Sequence, residues 1–507
     1  MESTTNAPAF APYWNGSSKA MSDAWWLPTK TGSPVSDLTF FNGSSSDLGR
    51  YWKVWSSPVP PREPTWSQTS WRFLPSLVRA TTDEESTIRS QKIRIYPNSH
   101  QKKLFHKCFG AHRFFYNRAV AEIQRRYQAR RQEFESAQSC VLCNHPKEEG
   151  SWTCRIHKEK PLPWKLSVSL PSIRAAVMSS DAEAKQSEMA WQAEVPYDTR
   201  QLAIKDAVSA YKACVTSKAR GHIETFQMRF QCRSSRRIFW INDSALINKN
   251  GRWHLFQQRL KEHSILRFRA KDRKRLPAKN KHDAKVLFDR GAYYLVLSLH
   301  EEHPDTVRQR RQPIVALDPG VRTFMTGYSP TGVAFKVGER QIARMKQLHE
   351  RIDQMRSVRA KATKRRTRWR VKQRLETLER ALFGIVDDLH NQTTAALTRN
   401  FETILLPTFG TSEMLGRDGL ASATKRRMQG LAHYRFQQKM IHQCRKHGCS
   451  LYLVGEEYTT KACGGCGRLS NIKGETVYDC PACGYTMDRD VHGARNILLK
   501  TCSTFGH

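Results

Sequence analysis

The chain has 507 residues, enough for about three domains, and its 39% apolar content is sufficient to give each a core. Lys and Arg number 84 against 46 Asp and Glu, a formal net charge of +38. A compact body with that surplus repels itself unless a polyanion covers it, so nucleic acid is the expected partner, with ribosome association and anionic membrane binding as the duller readings.

No apolar run approaches membrane-spanning length. The N-terminus MESTTNAPAFAPYW carries an early Glu and lacks the basic-then-apolar order of a secretory leader, so an intracellular protein is expected. Many of the 13 cysteines fall in C-x-x-C pairs, which in a reducing compartment points to metal ligation.

In chain order, residues 1–89 are rich in Ser, Thr, Pro, Asn and Trp without helical period and read as a partly ordered extension; AWWLPT and YWKVW can pack or stack. QKIRIYP (91–97) alternates as a strand with Ile93 and Ile95 on one face. Ser99 is placed to cap a basic helix whose apolar positions are Leu104, Phe105, Cys108, Phe109, Phe115 and Val120. Further helices are expected near 165–220, then strands at RRIFWIN, RWHLFQ, SILRFRA and GAYYLVLSLH. The polar stretch 271–285 reads as a loop. IVALD (314–318) is a short apolar strand ending in an acid, and VAFKV (333–337) a second strand. A long basic helical segment follows from Glu339 to Arg399, then strand TILLP (403–407), a helix near 431–447 and strand LYLVGEE (451–457). That order suits an α/β core.

Cys463-Gly-Gly-Cys466 followed by Cys480-Pro-Ala-Cys483 has the spacing of two knuckles that hold one zinc in a structural, four-thiolate site. Gly467 and Gly484 follow the second cysteine of each pair, where a tight turn favours a missing side chain. A second cluster, Cys140, Cys143, Cys154 and His157, with His145 as a substitute ligand, has the spacing for another zinc; unrelated residues are the competing reading.

The acids carry the chemistry. Asp318 ends a strand before Pro-Gly, Glu456 and Glu457 end another, and Asp488 and Asp490 follow the second knuckle at the head of a helix. Convergent carboxylates form an oxygen-rich site for two Mg²⁺ ions that activate water on a phosphodiester, without a covalent nucleophile.

Four segments carry a resemblance to a known family: IRIYPNSHQKKLFHKCFGAHRFFYNRAV, IVALDPGVRTFMTGYSPTG, DDLHNQ, and EEYTTKACGGCG with YDCPACGYTMDRDVHGARNIL. The chain resembles the TnpB family of transposon-encoded, RNA-guided nucleases, in particular their eukaryotic branch, the Fanzor proteins, and is similar to the miniature type V CRISPR effectors. The resemblance implies a multidomain α/β protein whose RuvC/RNase H-like nuclease domain (306–500) contains a zinc ribbon (458–486). It also implies a wedge-like β-barrel (90–97 and 221–305), a helical recognition lobe (98–220) and a tail (501–507). The implied catalytic residues are Asp318, Glu456 and Asp490, with Glu457 the alternative middle acid and Asp488 the less suitable last one. Pro407 stands where many relatives place a Glu, and Glu413 is displaced from that position. The implied partners are a guide RNA from the flanking locus, double-stranded target DNA next to a short adjacent motif, and the RNA–DNA heteroduplex. The protein would be a monomer acting in a nucleus. A guide-dependent binder that does not cut, and a transposition or junction-resolving nuclease without a guide, remain alternatives.

Overall fold

The computed structural model describes residues 52–56, 87–136, 166, 168–178, 189–233, 237–301, 311–408, 421–455, 459–470 and 476–503. Its elements are β1 (Trp52–Ser56), β2 (Thr87–Ile95), α1 (Ser99–Ser136), α2 (Leu170–Val177), α3 (Tyr197–Ala219), β3 (Arg237–Ile241), β4 (Leu246–Lys249), β5 (Arg252–Leu255), β6 (Ala284–Asp289) and β7 (Ala292–Glu301). There follow β8 (Gln312–Pro319), β9 (Met325–Tyr328), β10 (Val333–Val337), α4 (Glu339–Lys361), α5 (Arg365–Asn400), β11 (Phe401–Pro407), α6 (Ser422–Leu431), α7 (His433–His447), β12 (Ser450–Val454), β13 (Val477–Asp479), β14 (Thr486–Asp488) and α8 (Arg489–Ser503). The protein is a multidomain α/β chain.

The first half is built on an antiparallel sheet in the order β2-β7-β6-β3. Ile93 and Ile95 point to one side, and Phe105 and Phe109 of α1 pack their rings against Phe239 and Tyr293 of that sheet. One apolar cluster runs through this sheet, α1, α2 and α3, so the strands and the helices between them share a core. Among the described residues the end strands β2 and β3 are not paired with each other, and the closure expected of a barrel is not among them. Helix α1 is capped by Asn98 rather than Ser99: the Asn98 side chain accepts from the Gln101 N–H at 2.8 Å and the Gln101 side chain accepts from the Asn98 N–H at 3.1 Å. Asn reaches the free amides of a first turn as well as Ser does, and the reciprocal glutamine fixes the choice.

The second half is a six-stranded sheet in the order β1-β10-β9-β8-β11-β12, in which β8, β11 and β12 run parallel and the rest antiparallel. The run IVALD is continuously apolar because β8 is covered on both faces. Val315 and Leu317 join the core made with α4, α5, α6 and α7, whereas Ile314 and Ala316 join the core made with α8. Strand β1 comes from the region read as a partly ordered extension: Trp52, Val54 and Ser56 register with Val337, Phe335 and Val333 at the edge of this sheet. The single helical segment expected from Glu339 to Arg399 folds back at residues 362–364 into the pair α4 and α5. Ile352 buries its side chain against Leu375 and Leu378 only through that reversal.

Smaller differences follow the same logic. SILRFRA makes one isolated bridge, His254 to Ile265, and no strand. The end of the polar stretch 271–285 enters β6, where Ala284 and Val286 are buried.

Candidate active site

Three strands present a row of residues on one face. Asp318 of β8 is in register with Thr326 of β9, and Thr326 with Lys336 of β10. Registered residues project to the same side of a sheet, here the side that α8 covers. Lys336 reaches α8: its Nζ lies 2.8 Å from Asp488 Oδ2 and 3.1 Å from Asp490 Oδ2. Burial penalises the Lys336 ammonium, but Asp490 and Asp488 more than compensate and hold its pKa above the usual lysine value.

The two acids of the DRD segment do different things. Asp488 precedes α8 and caps it, its Oδ1 accepting from the N–H groups of Asp490 and Val491 at 3.0 and 3.2 Å. Asp490 lies in the first turn, its side chain 43% exposed, and is the one of the two with no capping bond to make. One turn further on, Gly493 faces Asp318 so closely that a Cβ there would stand 2.7 Å from Asp318 Oδ2. Asp318 and Asp490 therefore converge, one from the sheet and one from the helix laid over it. Carboxylates are the hard oxygen donors that a divalent ion of the Mg²⁺ kind takes, and the Lys336 cation pairs with Asp490 here.

The predicted middle acid Glu456, its alternative Glu457 and the displaced Glu413 lie outside the described residues, as do Cys140, Cys143, His145, Cys154 and His157. The chain on either side of Glu456 is described. Val454 packs against α8, and the Thr460 methyl lies 3.9 Å from the same Gly493 Cβ position that Asp318 approaches. Pro407 is buried in β11 and registers with Val454.

Cys463, Cys466, Cys480 and Cys483 come together, with all four Sγ atoms within 4.8 Å of one another, an arrangement that can hold a metal ion. Each pair sits in the same turn: Gly467 N–H donates to Cys463 O and Gly484 N–H to Cys480 O, both at 2.9 Å. Gly467 and Gly484 have φ of 76° and 65°, which favours glycine there. Amides of the turn, that of Ala482 foremost, lower the Cys480 thiol to about 6.

Outside the site, the basic segment at the start of α5 is solvated: residues 363–370 are all exposed, Trp369 at 61%. Sequence reasoning missed Lys336, Thr326 and Gly493. The lone lysine in the apolar strand VAFKV and the glycine inside the helix VHGARNILL were the available signals, since mid-helix glycine costs about 0.5–1 kcal/mol and needs a reason.

Two descriptions of known domains match the chain. Residues 433–497 match the Cas12f1-like, TNB domain, and residues 87–132 match a helix-turn-helix domain of the OrfB_IS605 kind. In this structure the latter segment is strand β2 followed by the continuous helix α1. Putative transposase A625R of Paramecium bursaria Chlorella virus 1 is 24% identical over 422 residues, 82% of this chain and 88% of its own. TnpB-like protein L770 of Acanthamoeba polyphaga mimivirus is 24% identical over 502 residues, 95% and 87% respectively. CRISPR-associated endodeoxyribonuclease Cas12f1 of Sulfoacidibacillus thermotolerans is 30% identical over 92 residues, 18% of this chain and 22% of its own. Among solved structures, the Cas12f1-sgRNA-target DNA complex is similar with a TM-score of 0.38 at 12% identity, over 82% of this chain and 99% of that one, too loose a likeness to bear on function.

Proposed function

We propose that this chain, a relative of the TnpB-like proteins, is an RNA-guided DNA endonuclease of the Fanzor kind, with a RuvC-like centre in residues 306–500. The observation that carries the reading is the convergence of Asp318 and Asp490 across the sheet–helix boundary, beside Lys336. Glu456 is the third acid in this reading. Read as the strand LYLVGEE, the sequence puts Glu456 and Glu457 on opposite faces, and Glu456 is the one that matches the family's position.

Asp318, Glu456 and Asp490 would hold two divalent ions, which supply activation of water and neutralisation of the leaving oxygen. The protein's own part is positional. Asp318 is fixed by its strand and by contact with Gly493, Asp488 stiffens the first turn that carries Asp490, and Lys336 keeps a positive charge on the same face. The phosphate to be cut would approach over this face.

Zinc is the proposed occupant of the four-cysteine centre. The Sγ separations of 3.6 Å between Cys463 and Cys483 and 3.8 Å between Cys466 and Cys480 match the edge of about 3.8 Å expected of a tetrahedron with zinc–sulfur bonds of about 2.3 Å. Residues 458–486 are then a zinc ribbon, and Cys140, Cys143, Cys154 and His157 a second zinc site. The first-half sheet and its helices would be the wedge and recognition lobe. The exposed basic start of α5 would follow the backbone of a guide–target heteroduplex, where sequence is read by base pairing and not by the protein. The basic runs 271–285 and 361–375 would be nucleic-acid contact faces, with nuclear import as the alternative use, and the protein a monomer.

Co-expression with RNA from the flanking locus tests guide dependence. The expected result is a retained RNA of defined length and cutting of duplex DNA that matches it. Retained RNA without cutting would favour a guided binder; cutting indifferent to the RNA would favour an autonomous nuclease.

A further inference from the structure

Helix α8 has two faces, and only one belongs to the carboxylate site. Asp490 and Gly493 look to the sheet, while His492, Arg495 and Asn496 look to the cysteine knuckles. The His492 ring stacks on Tyr478 of β13 with centroids 3.8 Å apart, and its Nε2 accepts from the Gly464 N–H at 3.1 Å. Arg495 Nη1 donates to the Gly464 carbonyl at 2.8 Å. Asn496 Nδ2 donates to the carbonyls of Thr459 and Ala462 at 2.8 and 2.7 Å. Thus Gly464, between the first two cysteines, is gripped through both its backbone groups. It is glycine because a Cβ there would fall 2.4 Å from Arg495 Nη1 and 2.7 Å from Asn496 Oδ1.

The three helix side chains are buried, His492 0%, Arg495 3% and Asn496 6% exposed, and they reach a half-buried Gly464 and Ala462. Buried hydrogen bonds to backbone carbonyls fix position more firmly than apolar contact, since breaking one leaves a polar group unsatisfied. Among the described residues the knuckle's own apolar cluster is small: Cys463, Tyr478 and Cys480 with Tyr485 against them. Its shape must come from what the thiolates bind.

We infer that His492, Arg495 and Asn496 are positioning residues that make the four-cysteine centre the outer support of α8, so that a metal bound by the thiolates sets where Asp490 stands relative to Asp318. The inference rests on the nuclease reading for its effect on cutting, but not for its mechanical content. The chain path is short: Cys463 to Gly464, Gly464 to Arg495 and His492, and along one turn of α8 to Asp490. The same helix carries Gly493, packed on Asp318, so α8 is held from both sides.

The test uses the full chain and three variants, Arg495→Ala, Asn496→Ala and Arg495→Lys. Zinc content, amide hydrogen exchange and the Mg²⁺ concentration for half-maximal DNA cutting are measured for each. The two alanine variants should keep one zinc at the knuckles, exchange faster across residues 489–496 with α7 unchanged, and need about tenfold more Mg²⁺, the usual scale for loss of a residue that orients a metal ligand. Arg495→Lys, which still carries a donor for the Gly464 carbonyl, should lie near the parent chain in all three. Chelating zinc from the parent chain should reproduce the exchange change. Alanine variants with unchanged exchange and Mg²⁺ dependence would overturn the inference. So would zinc removal that speeds exchange equally through α7 and α8. If the parent chain cuts no DNA, the nuclease reading fails, while exchange across residues 489–496 still decides the coupling.

Discussion

The Asp318 carboxylate rests against the backbone of Gly493, with Oδ2 2.7 Å from the point a Cβ there would occupy. Alanine is ordinarily preferred to glycine inside a helix by about 0.5–1 kcal/mol. Gly493→Ala should therefore separate stability from activity. We expect a melting temperature close to that of the parent chain and a cutting rate lower by about 10²-fold, the cost of displacing a reacting group by about 1 Å. Thermal unfolding and single-turnover cutting on the same preparation measure both; an unimpaired rate would mean that Asp318 is free to move without consequence.

Acid should weaken the second-half core through two histidines. His390 and His433 flank Phe324, with ring centroids 5.2 and 5.3 Å away. Burial lowers them from 6.5 to about 3 and about 4, only partly offset by the backbone of Leu431 and of Gly320 respectively. The unfolded chain thus takes up protons first. Their contribution is fully present above pH 6.5 and is lost as pH falls, by about 1.4 kcal/mol per group per pH unit, until about pH 4 for His433 and about pH 3 for His390. Denaturant unfolding between pH 7 and 5 should show a fall of this sign, steepened by His112, His349 and His492, which burial lowers likewise, and His433→Phe should flatten it. A slope that His433→Phe leaves unchanged would rule this histidine out.

Metal content distinguishes the two cysteine clusters. If both hold zinc, the parent chain carries two ions; Cys140→Ser with Cys143→Ser lowers this to one, and Cys463→Ser with Cys466→Ser removes the other. A parent chain with one ion, unaffected by changes at 140 and 143, would leave the first cluster without a metal role.

The exposed arginines at the start of α5 should act on phosphates. Changing Arg365, Arg366, Arg368 and Arg370 to Gln is expected to weaken nucleic-acid binding for all sequences alike. It should also lower the slope of log affinity against log salt by about 0.7–0.9 for each phosphate that the arginines no longer neutralise. A sequence-selective weakening at constant slope would point to base reading by this helix.

Much of this was legible in the sequence, for identifiable reasons. IVALD, TILLP and LYLV are apolar runs whose order suited strands of an α/β core, and the structure pairs them side by side in parallel. The knuckle cysteines announced themselves by spacing. What stayed hidden depended on distant chain: WKVWS forms β1 by pairing along the edge of β10, and Lys336 acquires a role only when α8 brings Asp488 and Asp490 over it. The choice of Asn98 over Ser99 as cap turned on the reciprocal Gln101, one residue from the expected frame. Asp490 was separable from Asp488 by family resemblance; the capping bonds of Asp488 give the physical reason.

The most direct test is cutting of guide-matched duplex DNA in Mg²⁺ by the parent ribonucleoprotein, by Asp318→Ala and by Asp490→Ala, with DNA binding measured alongside. The account predicts that the parent cuts, that each variant binds the same DNA with comparable affinity, and that each loses cutting by at least about 10³-fold, since in this account both acids would hold the ions that drive the reaction. Cutting that survives loss of either carboxylate would contradict it.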